Sequence, residues 1–187
     1  MRLASTLATL SFAALAGTAA LAQAPAAAPA APAATPGAPA PPPPAPPRAR
    51  GPALDVSVEL AQVAIAQCLA NGYKTTATIV DSAGVPVAIL SGDGAPERTL
   101  MVGMTKVVAA LKYKMSSGDV ADKAKTDAAL DAEIKADPKI GTARRGALLL
   151  KVGGEIIGAM SVSGAPGGDK DEVCVQAGLD KVASRLK

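Results

Sequence analysis

Between Gly153 and Glu172 the chain spells out four consecutive pieces of backbone, and they narrow the choice of fold more than any other stretch. Gly153-Gly154 is the chemistry of a two-residue hairpin turn. Glu155 to Val162 reads as a strand, and Ala147 to Val152 before the turn is its apolar partner. Ser163-Gly164-Ala165-Pro166-Gly167-Gly168 is a loop, and Asp169, Asp171 and Glu172 crowd a helix start, where negative charge suits the macrodipole. A hairpin that runs straight into a helix demands an antiparallel sheet with helices packed on it.

The upstream sequence repeats that logic. Residues 55–70 read as an amphipathic helix stopped by Asn71-Gly72. Thr75 to Val80 and Val85 to Leu90 flank the turn residues Asp81-Ser82-Ala83-Gly84, which gives a first hairpin with Pro86 at a strand start or an edge. Thr99 to Met115 is a helix whose apolar stripe is Leu100, Met104, Val107, Leu111 and Met115. Its other face carries Thr99, Val102, Lys106, Ala109 and Tyr113, too small and weakly polar for plain water. A loop, a ligand or another subunit is expected to cover that face, unless the helix is buried on both sides within one domain. Residues 118–136 alternate acid, base and Ala, as a solvated helix or mobile flap would, ending at Asp137-Pro138. The last helix is expected over Asp169 to Lys187, with a core stripe of Val175, Leu179, Val182 and Leu186. The order is α-ββ-αα-ββ-α, an α/β (α+β) domain over 54–187.

What precedes the domain is of two kinds. Residues 1–22 have the form of a signal peptide: Arg2, an uncharged apolar run, and a small-x-small site at Ala20-Leu21-Ala22. A retained membrane anchor is the competing reading. Residues 23–53 are an Ala/Pro-rich linker that cannot bury a core. The expected location is therefore periplasmic or secreted, with no stable membrane insertion once the leader is removed. Of the 19 Lys and Arg, Arg2, Arg48 and Arg50 lie before the domain, and all 16 Asp and Glu lie within it. The domain is near neutral, so nucleic acid is not an expected partner. The chain has no His, which removes a histidine triad, an HExxH zinc site and a histidine ligand to haem iron.

Cys68 and Cys174 are the only cysteines, in a chain expected to reach an oxidising compartment. Cys68 continues a stripe of Leu54, Val58, Ala61 and Ile65, and Cys174 lies one turn before Gly178, which would let another helix come close. A disulfide joining the first helix to the last is the favoured reading; two buried thiols or a reactive thiol are the others.

Other candidate chemistry is generic. The loop at 163–168 could cradle an anion on its N–H groups, yet it lacks the Lys-Ser/Thr of a phosphate loop and precedes acidic residues. Asp93 and Glu97 could hold a hard cation, and Arg144-Arg145 could meet a carboxylate; solvation and strand-bracketing are the ordinary roles. Met101, Met104 and Met115 at helical spacing are more often core filler than metal ligands. No set of acid, base and nucleophile marks a conventional enzyme.

The block from Gly153 to Glu172 and the following Ala177-Gly178 step resemble the GlcG/HbpS-like haem-binding family, exported members included. The resemblance extends upstream through Ala77-Thr78-Ile79-Val80-Asp81-Ser82-Ala83-Gly84 and Asp93-Gly94-Ala95, and Lys106 stands where relatives carry a lysine. The cysteines, too, look like those of exported members. It implies a profilin/PAS-like fold with an antiparallel sheet of about five strands, and homo-oligomers, often octamers. In some members it implies haem binding or haem degradation; others are encoded beside glycolate or alcohol oxidation genes. Here Pro96-Glu97-Arg98-Thr99 replaces a Pro-His-Thr-like step, Val108 replaces an aromatic, and Arg145-Gly146-Ala147-Leu148 replaces a Gly-Gly-x-Pro approach. The expected cofactor-binding set is Thr99, Lys106 and Tyr113, for haem or a related tetrapyrrole, with no catalytic residues. The alternative is a non-catalytic oligomeric accessory protein of small-metabolite oxidation without a haem site.

Overall fold

Two hairpins build the sheet. The computed structural model describes residues 49–187; the expected leader and the linker as far as Arg48 lie outside the described residues. Helix α1 (Leu54–Ala70) is followed by β1 (Thr76–Asp81) and β2 (Pro86–Ser91). Helices α2 (Arg98–Tyr113), α3 (Ser117–Thr126) and α4 (Ala128–Ala136) lead to β3 (Ala147–Val152), β4 (Glu155–Ser163) and α5 (Gly168–Val182). A 3₁₀ turn at Ala183–Arg185 follows, so the last helix stops short of the expected Lys187. All pairings are antiparallel, in the order β2-β1-β4-β3. Pro86 opens an edge strand opposite Val80, where the register shifts, and so costs no ladder hydrogen bond on a neighbour.

Four strands are present among the described residues, not five. The segment between α2 and β3 folds as helices instead. Ser116 Oγ accepts from Asp119 N to start α3, and Asp127 Oδ1 accepts from Ala129 N and Leu130 N to start α4. These caps divide the charged stretch into two helices. The stretch is rich in Ala, Lys and Asp and poor in β-branched residues, so it has little tendency to add a strand.

On one face of the sheet, α1 and α5 lie side by side. Leu60, Ala64, Ile79, Leu150, Met160, Val162 and Val175 form its apolar core. The buried side of α1 is Val56, Ser57, Leu60, Ala61, Ala64 and Cys68, so the expected stripe is rotated: Leu54 faces out. The two helices touch so closely that a Cβ on Gly178 would sit 2.7 Å from Leu60 O, which is why glycine occupies that position. Cys68 and Cys174 are joined in a disulfide across this contact, with Cα atoms 5.5 Å apart.

The other face receives α2, and most of the expected stripe packs there: Val107 is buried, Met104 and Leu111 lie beside it against Val80, Ala147 and Ala159, and Met115 lies under α3 and α4. Thr99, Gly103, Lys106, Val107, Ala109 and Ala110 are buried, while Leu100 is 40% and Met101 68% exposed. The domain itself covers much of the small, weakly polar face: Thr99 and Lys106 meet the sheet, and Ala109 and Tyr113 lie against α3 and α4. The reason is shape: small residues let the helix settle onto Thr78, Ser161, Val80 and Ala159, and Ser161 Oγ donates to Gly103 O at 2.9 Å. Beyond this contact, α3, α4 and Ile140 pack around Ala109, Tyr113 and Met115.

Candidate functional site

Lys106 is the first functional side chain to follow. Its side chain is 2% exposed at the end of the sheet where β3 begins. Nζ donates to Val162 O at 2.8 Å and to Asp171 Oδ2 at 2.6 Å. The pair ties α2, on one face of the sheet, to α5, on the other. Asp171 Oδ1 also accepts from Ala165 N at 2.9 Å. One backbone amide of the glycine-rich loop, that of Ala165, thus meets a carboxylate, and it is the protein's own Asp171.

Gly146 makes that meeting possible. Its φ is +116°, and a Cβ there would stand 2.6 Å from Lys106 Nζ and 2.8 Å from Asp171 Cβ. Any other residue would be strained and would push the pair apart. Burial pulls Lys106 below the usual lysine value, and Asp171 offsets part of that shift; Arg144 adds to it. Burial likewise pushes Asp171 above the usual carboxylate range against the opposing pull of Lys106. Both groups would be far costlier alone.

A cleft of about 460 Å³ opens beside this pair. The start of α2 contributes Arg98, Thr99 and Val102, the approach to β3 contributes Arg144 and Arg145, and the loop from Ser163 to Gly168 closes it. Thr99 Oγ1 donates to Pro96 O at 2.5 Å and lies 2.7 Å from Thr76 Oγ1, itself 2.9 Å from Ser91 Oγ. With its only proton spent on Pro96, Thr99 must accept from Thr76, and Thr76 from Ser91. That chain of hydroxyls fixes the floor of the cleft. Arg145 is engaged: it donates to Glu172 Oε2 at 3.0 Å and pairs with Asp122. Arg98 and Arg144 have no carboxylate partner among the described residues. Arg144 reaches only Thr142 O, at 3.5 Å. The cleft therefore carries two uncompensated guanidinium groups.

The expected site residues do not all converge. Thr99 and Lys106 line the cleft. Tyr113 lies seven residues beyond Lys106 at the other end of α2, with its hydroxyl donating to Glu133 Oε1 at 3.1 Å. Asp93 and Glu97 are exposed, and no methionine lines the cleft. Arg145 of the Arg144-Arg145 pair meets carboxylates, as one reading had it. Sequence reasoning missed Asp171 as the partner of Lys106, having given it only a helix-dipole role. It also left Arg98 without a function. The available signals were a lysine on a buried helical face, which demands an acid, and a Gly146 that no turn required.

Among the described residues, no cluster of three or more His, Cys, Asp or Glu could hold a metal ion, and no helix is long and apolar enough to cross a membrane. No curated protein matches the chain by sequence. Its fold is similar to that of HbpS from Streptomyces reticuli, solved as a double mutant: 21% identity, TM-score 0.65, over 72% of this chain and 89% of that one. It is similar to Klebsiella pneumoniae ORFY at 18% identity and TM-score 0.66, over 73% and 94%. It is also similar to PduOC, solved as a haem complex, at 18% identity and TM-score 0.63, over 70% and 94%. The family model described as "Haem degrading protein HbpS-like" matches residues 53–180, nearly the whole of the described domain, and the chain belongs to that family.

Proposed function

We propose that this chain is an exported member of the HbpS-like family that binds haem or a related tetrapyrrole at the cleft beside Lys106. The observation that carries the reading is the pair of unpartnered arginines, Arg98 and Arg144, in a cleft otherwise built from a fixed hydroxyl floor and a glycine-rich wall. A tetrapyrrole brings carboxylates, and the planar guanidinium fork suits them. The chain's residues fit that end of the ligand. They do not fit its iron. The chain has no histidine, both cysteines are in the disulfide, and neither Tyr113 nor a methionine lines the cleft. No step of haem chemistry is therefore assigned to this chain, and the proposed role is binding in the periplasm or outside the cell.

The second reading is a homo-oligomeric accessory protein of small-metabolite oxidation with no haem site. It is favoured by the apolar surface that α2 leaves uncovered, Leu100 and Met101, with Ile89 exposed on the edge strand. A second copy of the chain is the expected cover. Titration of the purified protein with haem, with the absorbing species resolved by size, separates the two. A saturable change in the Soret band is expected; a well-defined oligomer that takes up no haem would replace the first reading by the second.

A further inference from the structure

We propose that the cleft recognises its tetrapyrrole through the carboxylates alone, held by Arg98 and Arg144, with no protein ligand to the metal. The inference rests on the binding role proposed above and goes further by fixing what is recognised.

The charge around the cleft supports it. Arg98, Lys106, Arg144 and Arg145 line it against a single acid, Asp171. Asp171 neutralises Lys106, and Glu172 with Asp122 neutralises Arg145. Arg98 and Arg144 are what remain, one from the first turn of α2 and the other from the approach to β3. Arg144 already acts unfavourably on Lys106, so an anion beside it would relieve both cations.

Lys106, Thr99 and Asp171, which line the cleft, are each held by their own partners. Lys106 would have to leave Asp171 and Val162 O, stranding a buried carboxylate. Thr99 Oγ1 holds its place only by donating to Pro96 O and meeting Thr76. Asp171 Oδ1 and Oδ2 are both taken.

The test titrates the full protein with three probes: ferric haem, metal-free protoporphyrin IX, and the dimethyl ester of that porphyrin, followed by porphyrin absorbance and fluorescence. Haem and the metal-free acid are expected to bind with comparable affinity, and the ester to bind at least about tenfold more weakly, as loss of charge-assisted hydrogen bonds requires. Arg98→Gln and Arg144→Gln are expected to weaken the metal-free acid by a similar factor while leaving the circular dichroism unchanged, since both side chains are exposed. Binding of haem without binding of the metal-free acid would overturn the inference and leave the haem reading standing. Equal binding of acid and ester, or unchanged affinity in both variants, would also overturn it. Failure of all three probes would remove the binding role itself.

Discussion

On the α1/α5 side, the sheet meets aliphatic side chains and a disulfide; on the α2 side, a smaller apolar cluster around Val107 is joined by buried threonine and serine hydroxyls, and the cleft beyond its end is closed by a buried ion pair. The first side has no buried charge in its core. The second keeps Thr76, Thr99, Lys106 and Ser161 out of water, each with a hydrogen-bond partner, and Lys106 reaches past the end of the sheet to Asp171 of α5. Apolar contact is tolerant of small shifts, whereas hydrogen-bonded polar groups hold one geometry or pay the full desolvation cost. The molecule thus separates its tasks. One face is closed by apolar contact and a disulfide, and the other adds a charged cleft to its own apolar contacts around Val107 and Ile134.

The largest expected effect comes from opening the first side. Cys68 and Cys174 close a loop of 106 residues, for which the chain-entropy description gives roughly 4–5 kcal/mol. Cys68→Ala with Cys174→Ala should lower the urea midpoint accordingly while the Lys106 cleft keeps its geometry and its ligand affinity at low temperature. Loss of ligand affinity in a still-folded variant would mean that the two faces are not separable.

The ion pair tests the second side. Lys106→Met alone leaves Asp171 buried without a counter-charge and should cost about 3–5 kcal/mol. Adding Asp171→Leu should restore most of that stability, because a buried pair replaced by apolar groups of similar size is close to neutral. The double variant should fold and yet lose the order of the loop from Ser163 to Gly168, since Ala165 N no longer has its acceptor. A double variant as unstable as the single one would show that the pair, rather than the apolar contacts, carries this side.

These differences explain what the amino-acid sequence discloses and what it hides. The β-branched run before Asp81–Gly84 and the apolar runs around Gly153-Gly154 fall on real hairpins, and four strands are placed by their residues; the fifth comes only with the family resemblance. The disulfide is readable because Cys68 and Cys174 have no alternative partner. The apolar stripe of α2 is readable at Met104, Val107, Leu111 and Met115, whereas the exposure of Leu100 and the burial of the small face through Gly103 and Ala110 depend on fit to the sheet. The site is least readable. Lys106 and Asp171 are 65 residues apart, and no local pattern joins them. Arg98 and Arg144 become a pair only once the cleft exists.

The smallest effect concerns how far the polar side extends. α3 and α4 cover the C-terminal half of α2, and Asp127 is the hinge of that cover, ending α3 and capping α4 through two backbone amides. Asp127→Ala should cost about 1 kcal/mol, the usual worth of an N-cap. The loss should be local. Amides in α4 and at the end of α2 near Tyr113, whose hydroxyl bonds Glu133, should exchange faster with solvent, whereas those of α1 and α5 should not change. The cleft lies at the other end of α2, so ligand affinity should hold. Faster exchange reaching α1 and α5 would show that the two sides unfold as one unit, and that their different chemistry does not divide them energetically.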